Sequence, residues 1–389
     1  MLMLTGTLQD YAWGSHDGIP AALGTEPTGS PQAEYWLGAH PKAPSRLADG
    51  RSLDAVLTER PELIGAVNLD RFGPRLPFLM KLISARQALS LQAHPSRAQA
   101  IEGFDQENRA GIALDAPERN YRDDWPKPEA LVALTEFHGL CGFRDPSQTQ
   151  ALAAHLGVPT LDLLFQPLIE GDGIARVLLE ILGIADLEDD LLPDVVAAAR
   201  EHAGADSELG RFCDTIVELD RDYPGDPGIL AAMLLNRILL QPGDSFFMPA
   251  GNLHAYLRGT ALEVMSNSDN VLRGGLTPKH IDVDELAQVV DFMPGFPGLI
   301  DPVEVSLGIW HYPTEAPEFV LYRVDDASDQ PLPGAESARI LLALQGEVRL
   351  VGAAGELVLG RGEAAFLAAG EEVRVHSTGQ AFMVGSALP

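Results

Sequence analysis

Three short runs carry side chains that could hold a metal. In Ser90-Leu91-Gln92-Ala93-His94-Pro95, strand geometry sends alternate residues to opposite faces, so Gln92 and His94 point the same way. An amide oxygen and an imidazole nitrogen are both competent ligands for a borderline cation such as zinc. Pro95 ends the strand at once. In Pro126-Lys127-Pro128-Glu129 a carboxylate opens a strand, with a proline tolerated just before it. In Leu253-His254-Ala255-Tyr256-Leu257 the ring of His254 shares a strand face with Tyr256. Each run alone is an ordinary polar feature of a sheet or turn. A metal site needs the fold to bring them together.

The elements that must do so change character along the chain. Residues 1–144 read as strands and loops with short helices. Strands are expected at 33–39, 78–82, 88–93 and 131–136, and a helical patch at 53–63 with Ser52 as its N-cap. From Pro146 to about Asp222 the apolar spacing turns helical, as in Ala151, Leu152, His155 and Leu156, and again in Leu178, Leu179, Ile181 and Leu182. Residues 229–240 fit either a helix or a strand. Strands return at 245–248, 254–257 and 261–265, with a turn expected between Gly259 and Thr260, and residues 311–389 read as all β. One repeat is visible. The run 242–251, PGDSFFMPAG, parallels 361–370, RGEAAFLAAG, and His254 of the first copy falls opposite Val373 of the second. Turn, strand, turn and histidine make a cupin-type motif, and two copies imply two barrels of which only the first keeps a metal-binding histidine.

Composition narrows the possible partners. The formal net charge of -29 disfavours nucleic acid and anionic membrane. It equally repels an anionic substrate, so a phosphorylated ligand needs a locally basic pocket drawn from the 27 Lys and Arg residues. Cys141 and Cys213 form neither a disulfide framework nor a metal-ligand spacing. No basic region followed by an apolar run opens the chain and no long apolar stretch interrupts it, so the expected location is the cytoplasm.

Longer runs resemble type I mannose-6-phosphate isomerases. They are residues 33–41, 76–81, 89–95, 127–129, 140–144, 249–256 and, most specifically, Ser266-Asn267-Ser268-Asp269-Asn270-Val271-Leu272-Arg273-Gly274-Gly275-Leu276-Thr277. The likeness is close over about 30–145 and 220–285. The resemblance implies a mainly β fold of cupin (jelly-roll) barrels with an α-helical insertion. A catalytic barrel takes residues 1–144 and 222–300, the insertion 145–221, and a second barrel without metal 301–389. It implies one zinc per chain on Gln92, His94, Glu129 and His254, a catalytic Arg273, and pocket positions at Lys81, Ser90, Lys127, Tyr256 and Glu263. The implied reaction interconverts mannose 6-phosphate and fructose 6-phosphate through an enediol, feeding activated-mannose synthesis, in a monomer without nucleic-acid or membrane partners. Lys127 and Glu263 both stand as candidate bases, and Lys81 as a candidate phosphate contact. Many relatives carry a histidine just before the lysine of K-P-E. Here Pro126 stands there, so no proton transfer through that position applies, and Trp125 beside it is expected to reshape the pocket wall. The rival readings are a metal cupin acting on another sugar phosphate, an iron-dependent oxygenase and a non-catalytic sugar-binding cupin.

Overall fold

The computed structural model describes residues 1–183, 190–296 and 298–387. Residues 184–189, inside the expected helical block, lie outside the described residues, as do the last two of the expected second barrel. The fold is mainly β, with antiparallel sheets of ten, eight and four strands. One strand organises the first barrel. His254–Ser266 runs through both of its walls, pairing with Gln92–Ala93 and Phe137–Phe143 at its start and with Phe78–Ala85 and Glu129–Ala133 towards its end. The expected turn at Gly259 and Thr260 is absent. The strand is continuous there and shifts register between Tyr256 and Arg258. Gly259 has φ +119°, and a Cβ on it would lie 2.6 Å from the Glu136 carbonyl oxygen. A kink that glycine permits takes the place of a turn.

Side-chain alternation then sorts the wall. Phe78, Met80, Leu82, Ala130, Val132, Leu262 and Val264 pack outward against Ile340, Leu342, Ala364, Phe366, Phe382 and Val384 of the second barrel. Their odd-numbered neighbours Lys81, Glu129 and Glu263 therefore point inward. The other wall alternates likewise. Ala93, Ala255, Leu257 and Leu272 join an apolar cluster with the helical block, while Gln92 and His254 turn in. Both faces of these strands are covered, which is why they read as nearly unbroken apolar runs.

The helical block is present, with helices at Pro146–Ala154, Pro159–Phe165, Gly173–Gly183, Leu191–His202 and Glu208–Asp222. Asp145 and Ser207 cap the first and last of these by accepting from main-chain N–H groups. The stretch 229–240 resolves into a short helix, Gly228–Ala232, and a strand, Leu235–Leu240. The patch at 53–63 is a helix Leu53–Glu59 followed by a 3₁₀ turn, and the side chain of Ser52 makes no cap hydrogen bond. Sequence reading missed one long helix, Arg97–Ala110. Its signal was present, because Ser96 and Gln99 form a capping box.

The repeat is real in three dimensions. Gly243 donates to Ala133 O and Gly362 to Ala343 O, both at 2.8 Å. The Asp244 carboxylate accepts from Gln241 N, as the Glu363 carboxylate does from Gly360 N. Residues 2–5 add a strand to the second barrel's sheet by pairing with Ala364–Leu367.

The kinked strand makes a comparison possible. Gly259→Ala should destabilise the fold by about 1–3 kcal/mol, read as a lower melting temperature, combining backbone strain with the collision at Glu136. Gly243→Ala, where φ is +96° and a Cβ meets nothing within 4 Å, bears the backbone cost alone. Thermal unfolding of both variants should rank Gly259→Ala as the more damaging; equal melting temperatures would remove the close approach from the account.

Candidate metal centre

Gln92, His254 and Arg273 stand side by side on three adjacent strands, because His254 and Arg273 are both register partners of Gln92. Across the barrel Glu129 opens its strand opposite Met265, and Lys81 pairs in register with Glu263. The convergence is tight: ligand atoms of His94, Glu129 and His254 all lie within 4.8 Å of one another, and all three residues are buried.

Hydrogen bonds set the chemistry of each ligand. His94 donates through Nδ1 to Asn270 O at 2.8 Å, and His254 through Nδ1 to Asn252 O at 3.0 Å. Both rings therefore present a bare Nε2 lone pair. These lone pairs face the Glu129 carboxylate, at 3.3 Å from Oε1 for His94 and 3.4 Å from Oε2 for His254. Burial, then the nearby Lys127 charge, pushes His94 down to about 4, so its ring is neutral at neutral pH. His94 Nε2 is buried without a hydrogen-bond partner. Acceptors pressed against acceptors are stable only around a cation. A tetrahedral ion with ligand bonds near 2.0–2.1 Å has ligand–ligand edges of about 3.3 Å, close to the separations found. Gln92 donates through Nε2 to Ser90 Oγ at 3.2 Å, a bond that does not involve its Oε1. The residues fit zinc.

The remaining site residues enclose a cavity of about 60 Å³ lined by Glu34, Lys81, Lys127, Tyr256 and Glu263 together with Gln92, Glu129 and His254. That is roughly the space of two waters, so it admits the reacting end of a sugar rather than a whole hexose phosphate. Lys127 Nζ lies 2.9 Å from Glu129 Oε1. Burial alone would raise the pKa of Glu129, but Lys127 and the two imidazoles outweigh it and hold the carboxyl well below its usual range. Lys81 Nζ is 3.3 Å from Glu263 and 3.9 Å from Glu34, and 5.0 Å from the centre of the Trp36 ring. Burial works against the ammonium, yet Glu34 and Glu263 raise its pKa. Tyr256 donates to Glu263 Oε1 at 2.7 Å. Burial, partly opposed by Lys81, raises Glu263.

Arg273, like Ser90 and His94, is absent from this lining although it stands beside Gln92. Burial, then Arg122, lowers its pKa. Lys279 is lowered by burial, then by Arg273, Arg122 and Lys42. Among the described residues none of Arg122, Arg273 and Lys279 has a carboxylate within 4.0 Å. Trp125 does not reshape the pocket wall. Its ring packs on Phe72, with Arg75 and Arg97 at 4.7 and 4.5 Å from its centre.

Sequence reading missed Glu34, Asn252 and Asn270. Asn270 is fully buried, and beyond receiving the His94 bond it ties down the loop that leads to Lys127 and Glu129. Its amide donates to Asp123 O and Trp125 O, at 2.8 and 2.9 Å, and accepts from Arg122 N at 2.7 Å. A main-chain contact to a ligand leaves no mark in sequence; the Asn-Asp-Asn richness of 267–270 was the only signal.

Comparisons with known proteins agree. The family described as phosphomannose isomerase type I, catalytic domain, matches residues 1–146. The mannose-6-phosphate isomerase of Salmonella typhimurium is 37% identical over 389 residues, covering 98% of each chain. A crystal structure of a lysine-to-alanine mutant of the phosphomannose isomerase from Salmonella typhimurium covers 100% of both chains with TM-score 0.91 and 36% identity. A crystal structure of mannose 6-phosphate isomerase bound with zinc and yttrium covers 100% of both chains with TM-score 0.90 and 35% identity.

Asn270 supplies a test of how the centre is held. Asn270→Ala frees the Arg122–Trp125 loop and loosens the backbone that orients His94, so metal affinity should fall by about 10–100-fold. Competition with a chromophoric chelator measures it. Wild-type affinity in a folded variant would show that the loop is held by other contacts.

Proposed function

The chain belongs to the type I phosphomannose isomerases, and we propose how its own residues carry that reaction. It interconverts mannose 6-phosphate and fructose 6-phosphate, an aldose–ketose isomerisation, and its cofactor is zinc. Gln92, His94, Glu129 and His254 hold the metal in the first of two cupin barrels, built from 1–144 and 222–300 around the helical insertion 145–221. The second barrel, 301–389, is structural. The observation that carries the assignment is the pair of imidazole Nε2 atoms facing one buried carboxylate. Bound there, zinc polarises the carbonyl and adjacent hydroxyl oxygens of the sugar.

The protein groups divide the remaining work. Glu263 takes the proton from C2 of the aldose and returns it to C1, while a hydroxyl proton moves from O2 to O1; nothing is gained or lost overall. Burial suits Glu263 to this by raising its pKa towards working pH. The Tyr256 hydroxyl and Lys81 fix its two oxygens. Lys127, held beside Glu129, is the hydrogen-bond donor to the oxygens of the enediol. Lys81 is already matched by two carboxylates, which suits it to a sugar hydroxyl and not to the phosphate. The phosphate docks at the mouth on Arg273, Arg122 and Lys279, cations without carboxylate partners. Arg273, nearest Gln92 in register, also opposes the negative charge that develops on the enediolate. Cavity lining alone favours a cation, since it sets three carboxylates against two ammoniums.

The formal net charge is -29, and among the described residues no helix is long and apolar enough to cross a membrane.

A coupled assay with mannose 6-phosphate should show turnover that a chelator abolishes and zinc restores, with about one metal per chain, lost in His254→Ala. Undiminished activity in metal-free enzyme would overturn the assignment. The two roles at the mouth separate in kinetics. Arg273→Ala should lower kcat roughly a hundredfold or more. Lys279→Ala should chiefly raise KM, and by much less for an unphosphorylated sugar. A zinc-loaded Arg273→Ala with wild-type kcat would remove that arginine from catalysis.

A further inference from the structure

The acidity of this chain is interrupted at a second place. Away from the metal chamber, a cavity of about 760 Å³ opens between the helical block and the barrel. Arg200, Arg211 and Arg221 reach it from the helices Leu191–His202 and Glu208–Asp222, and Arg237 and Arg258 from the strands Leu235–Leu240 and His254–Ser266. Five of the 27 basic residues of a chain with net charge -29 thus surround one opening. Among the described residues two carboxylates, Asp214 and Glu218, line it with them.

The pairing around the cavity leaves these guanidiniums available. Glu218 serves two of them at once, at 2.7 Å from Arg237 and also in contact with Arg258, so one positive charge there is unmatched. Arg211 has only a loose contact, 3.8 Å from an exposed Asp206. Arg200 and Arg221 pair with Asp220 and Asp222 at 3.0 and 2.9 Å; the guanidiniums are 63% and 66% exposed, while the carboxylates are only 19% and 8% exposed. Each exposed guanidinium can therefore keep its carboxylate and still offer its outer N–H groups to phosphate oxygens. Arg237 is different: it is only 12% exposed and built in. Besides Glu218 it donates to Thr215 Oγ1 at 3.0 Å and to His138 Nδ1 at 3.1 Å. His138 Nε2 in turn lies 2.8 Å from Glu136 and 3.2 Å from the Arg258 guanidinium, so the imidazole sits between the two strand arginines.

We propose that this cavity binds a small anion carrying two linked phosphates, with room beside them for a nucleoside or a sugar. The planar guanidinium fork matches phosphate oxygens two at a time. Arginines arriving from two helices and two strands exceed what a single phosphate can engage. The volume falls within the range of small-molecule sites. Arg258 stands on the strand that begins with His254, so an occupant touches the element carrying a metal ligand.

Calorimetric titration of the zinc-loaded full chain tests this. The isomerase site is first saturated with the equilibrium mixture of mannose 6-phosphate and fructose 6-phosphate, and ADP and AMP serve as probes. ADP should bind at one site per chain, at least tenfold tighter than AMP, and more weakly as NaCl is raised. The triple variant R200Q/R211Q/R221Q should lose at least tenfold in ADP affinity while keeping its zinc and its kcat. Should the triple variant misfold, Arg211→Gln alone carries the same expectation of weakened binding, at threefold or more. Absence of ADP binding, AMP binding as tightly as ADP, or unchanged ADP affinity in the variants would each overturn the proposal. So would polyglutamate displacing ADP at equal charge concentration, which would reassign the face to an acidic polypeptide.

Discussion

Everything in the first barrel answers to one electrostatic conflict. Two imidazoles and a carboxylate are buried together, with His94 Nε2 and His254 Nε2 at 3.3 and 3.4 Å from the Glu129 oxygens. Burying such a group of acceptors is costly unless a cation completes it. The protein sharpens the conflict by spending each ring's N–H on a backbone carbonyl, Asn270 for His94 and Asn252 for His254. It also places Lys127 against Glu129, which favours the ionised carboxylate and disfavours a charged His94. These choices keep the ligands deprotonated, the state in which a metal finds them ready.

Strand alternation is what makes the conflict buildable. Each wall has an apolar layer outside it: the second barrel behind Phe78–Ala85 and Glu129–Ala133, the helices behind Gln92–Ala93 and the start of His254–Ser266. With both outer faces covered, every inward position of these short strands is free to be polar. A single strand, His254–Ser266, delivers a metal ligand from one wall and Glu263 from the other. The kink at Gly259 lets one chain segment serve both.

That arrangement also explains which features were legible in the sequence. Gln92 and His94, or His254 and Tyr256, share a face at spacing two, and that much any strand dictates. The helical block declared itself through a change of apolar period at Asp145. The meeting of the three runs depends on pairings between residues more than a hundred apart, such as Lys81 with Glu263, and reached the sequence reading only through the family likeness. The Gly259 kink read as a turn because a glycine beside a polar residue has the same composition in either case. Asn270 escaped because part of its service is done by a backbone oxygen, which any residue type supplies. Trp125 was misplaced for another reason: the sequence names a large side chain beside Pro126 but not its direction, and the neighbouring Arg75 and Arg97 draw it outward.

The second barrel shows what the same turn does when no metal depends on it. Both copies keep the glycine with positive φ, at Gly243 and Gly362, and the acidic side chain that closes the turn. Beyond the turn the copies diverge. In the first, the next strand runs unbroken from His254 to Ser266. In the second, the same path is split into Val373–Ser377 and Gln380–Gly385. Yet Leu344 and Gln345 still donate to Gln380 O as Leu134 and Thr135 do to Thr260 O. Val373 lies in an apolar core with Leu332, Leu350 and Val375. Released from holding ligands on one continuous strand, the second copy tolerates the break. Its contribution is the outer face it lays against Phe78, Met80 and Leu82, the layer that turns Lys81 and Glu263 inward.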